Sequence, residues 1–164
     1  MCESVLRVPF ESQPKSFLDG RAIFHDCNTV LVFTHPYAPL GGNIENNVVL
    51  KLFHYFAKEG FNVVRFNFRG VGVSEGSSSW TALPETDDVR AVCKYILDTH
   101  SAITHIVLVV KTFFVLPATT HPPEYLFFFF LFLSQGYSFG AVCASAVVDD
   151  FPQVSSLFLD LPFL

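Results

Sequence analysis

Hydrophobic positions along the first 109 residues switch between two kinds of spacing. Thr29–Thr34 (T-V-L-V-F-T) is a continuous β-branched run, the pattern of a strand buried on both faces of a parallel sheet. Over Glu45–Glu59, Val48, Val49, Leu52, Phe53, Phe56 and Ala57 share one helical face, and Gly60 suits the position just past the helix end. Phe61–Phe68 (F-N-V-V-R-F-N-F) returns to strand character. Pro84–Thr99 predicts a second helix: Pro84 fits the first turn, Glu85, Asp87 and Asp88 favour its positive end, and Val89, Val92, Cys93, Ile96 and Leu97 form its buried stripe. His105–Val109 or Val110 is another apolar strand. Two short strands, Val5–Phe10 and Arg21–Phe24, precede these around a polar turn at Pro14–Gly20. Strand alternating with helix predicts an α/β fold with a mostly parallel sheet and flanking helices.

The order breaks at residues 110–135, where a Phe-rich stretch of 26 residues ends in Y-L-F-F-F-F-L-F-L-S-Q. After it the α/β pattern resumes: a turn at Gly136–Gly140, a small-residue helix at Ala141–Val148, and a strand at Val154–Leu161.

Gly136-Tyr137-Ser138-Phe139-Gly140 is G-x-S-x-G. This spacing suits a nucleophilic serine on a tight strand-to-helix turn, where small neighbours let the two backbones approach. Ser138 is the candidate nucleophile, with Gly136 and Gly140 supporting the elbow. The amide of the next residue, Phe139, is one candidate oxyanion donor. The second comes from the loop after an earlier strand, His35–Gly42, with the Tyr37 amide as the candidate. His35, Gly41, Gly42 and Arg69 are read as loop support. His35 precedes the serine, whereas the base of such a site follows it in sequence, so His35 is expected to brace the loop. Trp80 is expected to pack against or anchor a loop.

Four segments together carry a resemblance: H-P-Y-A-P-L-G-G-N-I-E-N-N-V-V, R-F-N-F-R-G-V-G-V-S-E-G, T-D-D-V-R-A-V and G-Y-S-F-G-A. They resemble successive motifs of small α/β-hydrolases related to the serine aminopeptidase and dienelactone hydrolase groups, over Val30–Asp150 with the Phe-rich stretch removed. The resemblance implies a single-domain cytoplasmic hydrolase of ester, thioester or amide bonds, acting on a small acyl substrate with no cofactor and no metal.

Two departures from that pattern follow. The elbow should directly follow a buried strand, and deleting 110–135 gives the continuous join I-V-L-V-G-Y-S-F-G-A. Phe, Leu and Ser codons are pyrimidine-rich, Gln is encoded by CAG, and Val codons begin with GT, so the stretch reads as a translated, retained intron. The fold's order is also Ser, then Asp or Glu, then His, yet only Asp149, Asp150 and Asp160 follow Ser138, and no histidine does. Residues 1–164 are therefore expected to form one partial domain, interrupted and short at the C-terminus, with Ser138 unactivated. The alternatives are a non-catalytic truncated product and a membrane-associated chain. Against the latter, Phe113–Leu133 carries T-T-H-P-P-E in its middle, and its unbroken apolar part is shorter than the roughly 20 residues a spanning helix needs.

Composition narrows the partners. A net charge of −5 with no Lys/Arg cluster argues against a nucleic-acid surface. Cys2, Cys27, Cys93 and Cys143 form no C-x-x-C pair and are expected to be free thiols. Met1–Phe10 has no apolar core of the signal-peptide kind. Nothing in the sequence sets an oligomeric state.

Overall fold

The computed structural model describes residues 2–10, 16–111 and 139–159. Six strands form one mixed sheet: β1 (Ser4–Pro9), β2 (Phe17–Ile23), β3 (Thr29–Phe33), β4 (Asn62–Phe66), β5 (His105–Lys111) and β6 (Val154–Leu159). Their order is β1-β2-β4-β3-β5-β6, with β1 and β2 antiparallel and β4, β3, β5 and β6 parallel. Helices α1 (Asn47–Lys58) and α2 (Leu83–Thr99) join the parallel strands, and 139–145 form a third, short helix, α3.

The period of two within each strand divides the core. Leu31, Phe33, Val63 and Val109 point to one face, where α1 lays down Val49, Phe53 and Ala57. Val30, Val32, Val64, Phe66, Ile106 and Leu108 point to the other, against Val89, Val92, Cys93 and Ile96 of α2 and Ala141, Cys143 and Ala144 of α3. Both faces are covered, which is why the central strands read as unbroken apolar runs. The α1 ends are satisfied locally. The Asn46 side chain accepts the Val48 N–H, and beyond Glu59 the Gly60 and Phe61 amides return to Ala57 and Phe56. Burial pushes the Cys93 and Cys143 thiols up to about 12, and all four cysteines are free.

Two expectations change. The turn at Pro14–Gly20 is shorter than its composition suggests, because β2 begins at Phe17 and contains Asp19 and Gly20. Gly20 is there for strand spacing: a Cβ on it would lie 2.9 Å from the Arg65 carbonyl oxygen. The strand before the anomalous stretch also runs further than read. Val110 and Lys111 pair in register with Phe158 and Leu159 of β6, so parallel pairing extends β5 two residues into the segment begun at 110. The remainder, 112–135, lies outside the described residues, as do the considered membrane segment 113–133 and Asp160. Among the described residues no helix is long and apolar enough to cross a membrane.

Candidate active site

The sheet order brings the loops after β3 and β4 to one edge, where the parallel strands end. The loop after β3 turns sharply: the Leu40 and Gly42 amides both donate to the Tyr37 carbonyl, and the Gly41 amide donates to Ala38. Gly42 rests directly on the Pro36–Tyr37 peptide, with its would-be Cβ 1.9 Å from the Pro36 carbonyl oxygen. Side chains from β4 and its exit hold the far end. The Asn67 Oδ1 accepts the Ile44 N–H at 3.0 Å, and Arg65 Nη1 donates to the Ile44 carbonyl at 2.8 Å. No described residue accepts a hydrogen bond from the Tyr37 amide.

His35 ties this loop to the next one. The Phe68 N–H donates to His35 Nε2 at 3.0 Å, so that nitrogen carries the lone pair. Nδ1 therefore carries the proton and donates it to the Pro36 carbonyl at 2.6 Å. The ring is buried and lies edge-on to Phe68. Burial pushes its pKa down to about 4 from the ordinary 6.5, partly opposed by the bond to Pro36. Protonation would set an Nε2–H against the Phe68 N–H, donor against donor. Since the folded-state pKa is depressed, the stabilisation is complete above about 6.5 and is lost as pH falls toward about 4. That loss approaches roughly 3 kcal/mol. Imidazole NMR resonances followed during acidification are expected to leave His35 neutral until well below 6.5; ordinary titration near 6.5 would mean the latch does not form.

The loop after β4 is anchored from α2. Asp88 accepts from the Arg69 N–H at 2.9 Å, from Nε at 2.9 Å and from Nη2 at 2.7 Å, and Asp88 is fully buried. Burial raises the Asp88 pKa to about 6, and its three bonds to Arg69 pull the other way. Two of the three helix-start acids, Asp88 and Glu85, are thus buried and hold loop residues. Glu85 is buried and accepts from the Ser79 N–H and, at 2.7 Å, from Ser79 Oγ. Asp87 alone is the exposed acid of the first turns, paired with Arg90.

The elbow is described only from Phe139 onward; Gly136 and Ser138 lie outside the described residues. Its described part sits on the β3 loop. A Cβ on Gly140 would lie 2.5 Å from Thr34 Oγ1 and 2.9 Å from the His35 carbonyl oxygen, so α3 approaches β3 as closely as backbone allows. The Phe139 ring is 4.8 Å from Tyr37 and 5.9 Å from Phe68, and Tyr37 is 5.3 Å from Trp80. Trp80 was legible as a loop aromatic, but its place beside Tyr37 had no signal in the sequence. A cavity of about 680 Å³ opens between the β3 and β4 loops over Asp19, Arg21, Ile44 and Val71, and its described lining excludes Tyr37, Trp80 and Phe139. Its charged floor is internally paired, Arg21 Nη1 to Asp19 Oδ1 at 2.7 Å.

No family model matches the sequence, and no curated protein does. Solved structures match its fold. A protein of unknown function from Agrobacterium tumefaciens, a candidate alpha/beta hydrolase, is 20% identical with a TM-score of 0.68, over 96% of this chain and 59% of that one. An alpha-beta serine hydrolase homologue from Coxiella burnetii is 24% identical with a TM-score of 0.66, over 95% and 62%. An esterase from Pyrococcus furiosus is 17% identical with a TM-score of 0.63, over 93% and 48%. The chain therefore spans less than two thirds of the length of these structures. Its mixed sheet with flanking helices matches the α/β-hydrolase fold of these structures.

Proposed function

We propose that this chain carries the nucleophile and oxyanion-binding half of a serine hydrolase site for ester, thioester or amide bonds. The observation that carries this reading is the seating of Phe139 and Gly140 on the Thr34–Tyr37 loop. It brings the residue after the G-x-S-x-G serine against the loop that offers the Tyr37 amide. Ser138 Oγ attacks the acyl carbon as its hydroxyl proton passes to solvent water, the carbonyl π electrons move onto oxygen, and the Tyr37 and Phe139 amides hold the resulting oxyanion. Collapse of that intermediate re-forms the carbonyl, breaks the bond to the leaving group, which takes a proton from water, and leaves an acyl-serine. His35 takes no proton in this scheme, because its Nε2 is occupied by Phe68 and its ring holds the loop.

No histidine follows Ser138 in these 164 residues, so only this half of the site is assigned to them. We also infer that 110–135 are an insertion, a translated intron by composition, ahead of the elbow. Without a paired base the hydroxyl stays protonated, and acylation is expected to be slower by on the order of 10⁶ than in a complete site. Prolonged exposure to a fluorophosphonate followed by peptide mapping checks the assignment. The adduct is expected on Ser138 and is expected to vanish in Ser138→Ala. An adduct that survives this change removes Ser138 as the nucleophile, and rapid labelling means that a base is present among these residues.

A further inference from the structure

We infer that Trp80 forms the wall of an acyl-binding subsite that takes an apolar acyl group, alkyl or aromatic. The inference rests on the oxyanion reading above and adds the substrate class to it.

Trp80 is 78% exposed, although burying an aromatic side chain is among the larger single gains available to a fold. Its position is nevertheless held on both sides. Ser79, the residue before it, gives both its N–H and its hydroxyl to Glu85. Glu85 is itself buried, and a buried carboxylate is costly unless its oxygens are hydrogen-bonded, as both are here. Two residues after Trp80, Ala82 takes a left-handed backbone at φ 61°, unfavourable for a non-glycine residue. The Ala82 carbonyl is held by the Thr86 N–H and, at 2.8 Å, by the Thr86 hydroxyl. A buried carboxylate and a strained residue thus hold in place a tryptophan that remains in solvent.

The indole lies against the Tyr37 ring. Trp80, Tyr37 and Phe139 form a row, with ring separations of 5.3 and 4.8 Å, and the last two supply the oxyanion amides. An acyl carbon held at those amides has this aromatic row beside it. Leu83, at the start of α2, is also exposed and adds apolar surface to the same segment. Such a surface selects the apolar part of an acyl group, with its carbonyl at the amides.

The test uses the Ser138→Ala chain, which cannot acylate, and unreactive N-methylamides of acetic, octanoic and phenylacetic acids. Trp80 is the only tryptophan, so its emission reports this position alone. The octanoyl and phenylacetyl amides are expected to shift that emission to shorter wavelength, saturably, and to bind at least about tenfold tighter than the acetyl amide. In Trp80→Ala, which changes an exposed side chain, calorimetry is expected to show that preference reduced about tenfold. Emission that no amide moves, or equal octanoyl binding with and without the indole, overturns the inference; amides held elsewhere on the chain give that same unmoved emission. Labelling of Ser138 is read separately. A shift without labelling leaves the subsite and removes the nucleophile, and labelling without a shift does the reverse.

Discussion

Gly42→Ala is expected to destabilise the fold by about 4 kcal/mol or more and to displace the Tyr37 amide. The added methyl would stand 1.9 Å from the Pro36 carbonyl oxygen, 2.4 Å from its carbon and 2.9 Å from the Tyr37 carbonyl carbon. All three are backbone atoms, so no side chain can rotate to make room. The peptide that must move is pinned on both sides: the Pro36 oxygen accepts from His35 Nδ1, and the Tyr37 oxygen accepts from the Leu40 and Gly42 amides. Moving it pulls on the His35–Phe68 bond and separates the loop from Phe139. Gly41→Ala is the internal comparison. Nothing lies within 4 Å of its would-be Cβ, and only its positive φ of 87° opposes the change, at about 1–2 kcal/mol. Urea denaturation of the two variants measures the difference; equal midpoints would mean that Gly42 does not rest on the preceding peptide.

Arg69→Ala is expected to cost about 3–5 kcal/mol near neutral pH, because it strips a fully buried carboxylate of its countercharge. Asp88 would keep only its bond from the residue-69 backbone N–H. The variant's deficit also has a definite pH dependence. With Arg69 present, burial already lifts Asp88 to about 6, above its ordinary 3.8. A carboxyl whose folded pKa is raised contributes most below its ordinary value and progressively less as pH rises through the folded value. Removing Arg69 raises the folded value further, so the deficit deepens at alkaline pH and shrinks on acidification. Denaturation of both chains on either side of about 6 checks this. A deficit that stays constant or grows toward acid would show that Arg69 does not stabilise the ionised Asp88 carboxylate.

Much of the scaffold was legible because its signals are local. T-V-L-V-F-T marks β3 to within one residue of Thr29–Phe33, and the apolar stripe of α1 survives as Val49, Phe53 and Ala57 against the sheet. Boundaries failed where a residue's local preference yields to a distant neighbour. Asp19 and Gly20 look like turn residues, but pairing opposite β1 and β4 makes them strand. Asp88 looks like a helix-start acid, but packing of α2 beneath the β4 loop makes it the anchor of Arg69.

The candidate site divides in the same way. The G-x-S-x-G spacing, the His35–Gly42 loop and the absence of a histidine after Ser138 are properties of the chain order and need no coordinates. The sequence by itself therefore determined the fold class and the identity of the nucleophile proposed here. Only the tertiary structure decided which loops meet Phe139 and Gly140. His35 meets the Phe68 amide 33 residues away, Gly140 meets Thr34, and Trp80 meets Tyr37 because strands β3, β4 and β5 lie side by side and end at one edge. Hydrophobic periodicity reports which face of an element is buried. It carries no information about which loops the sheet order brings together, and those loop contacts set the His35 tautomer, the burial of Asp88 and the position of the exposed indole.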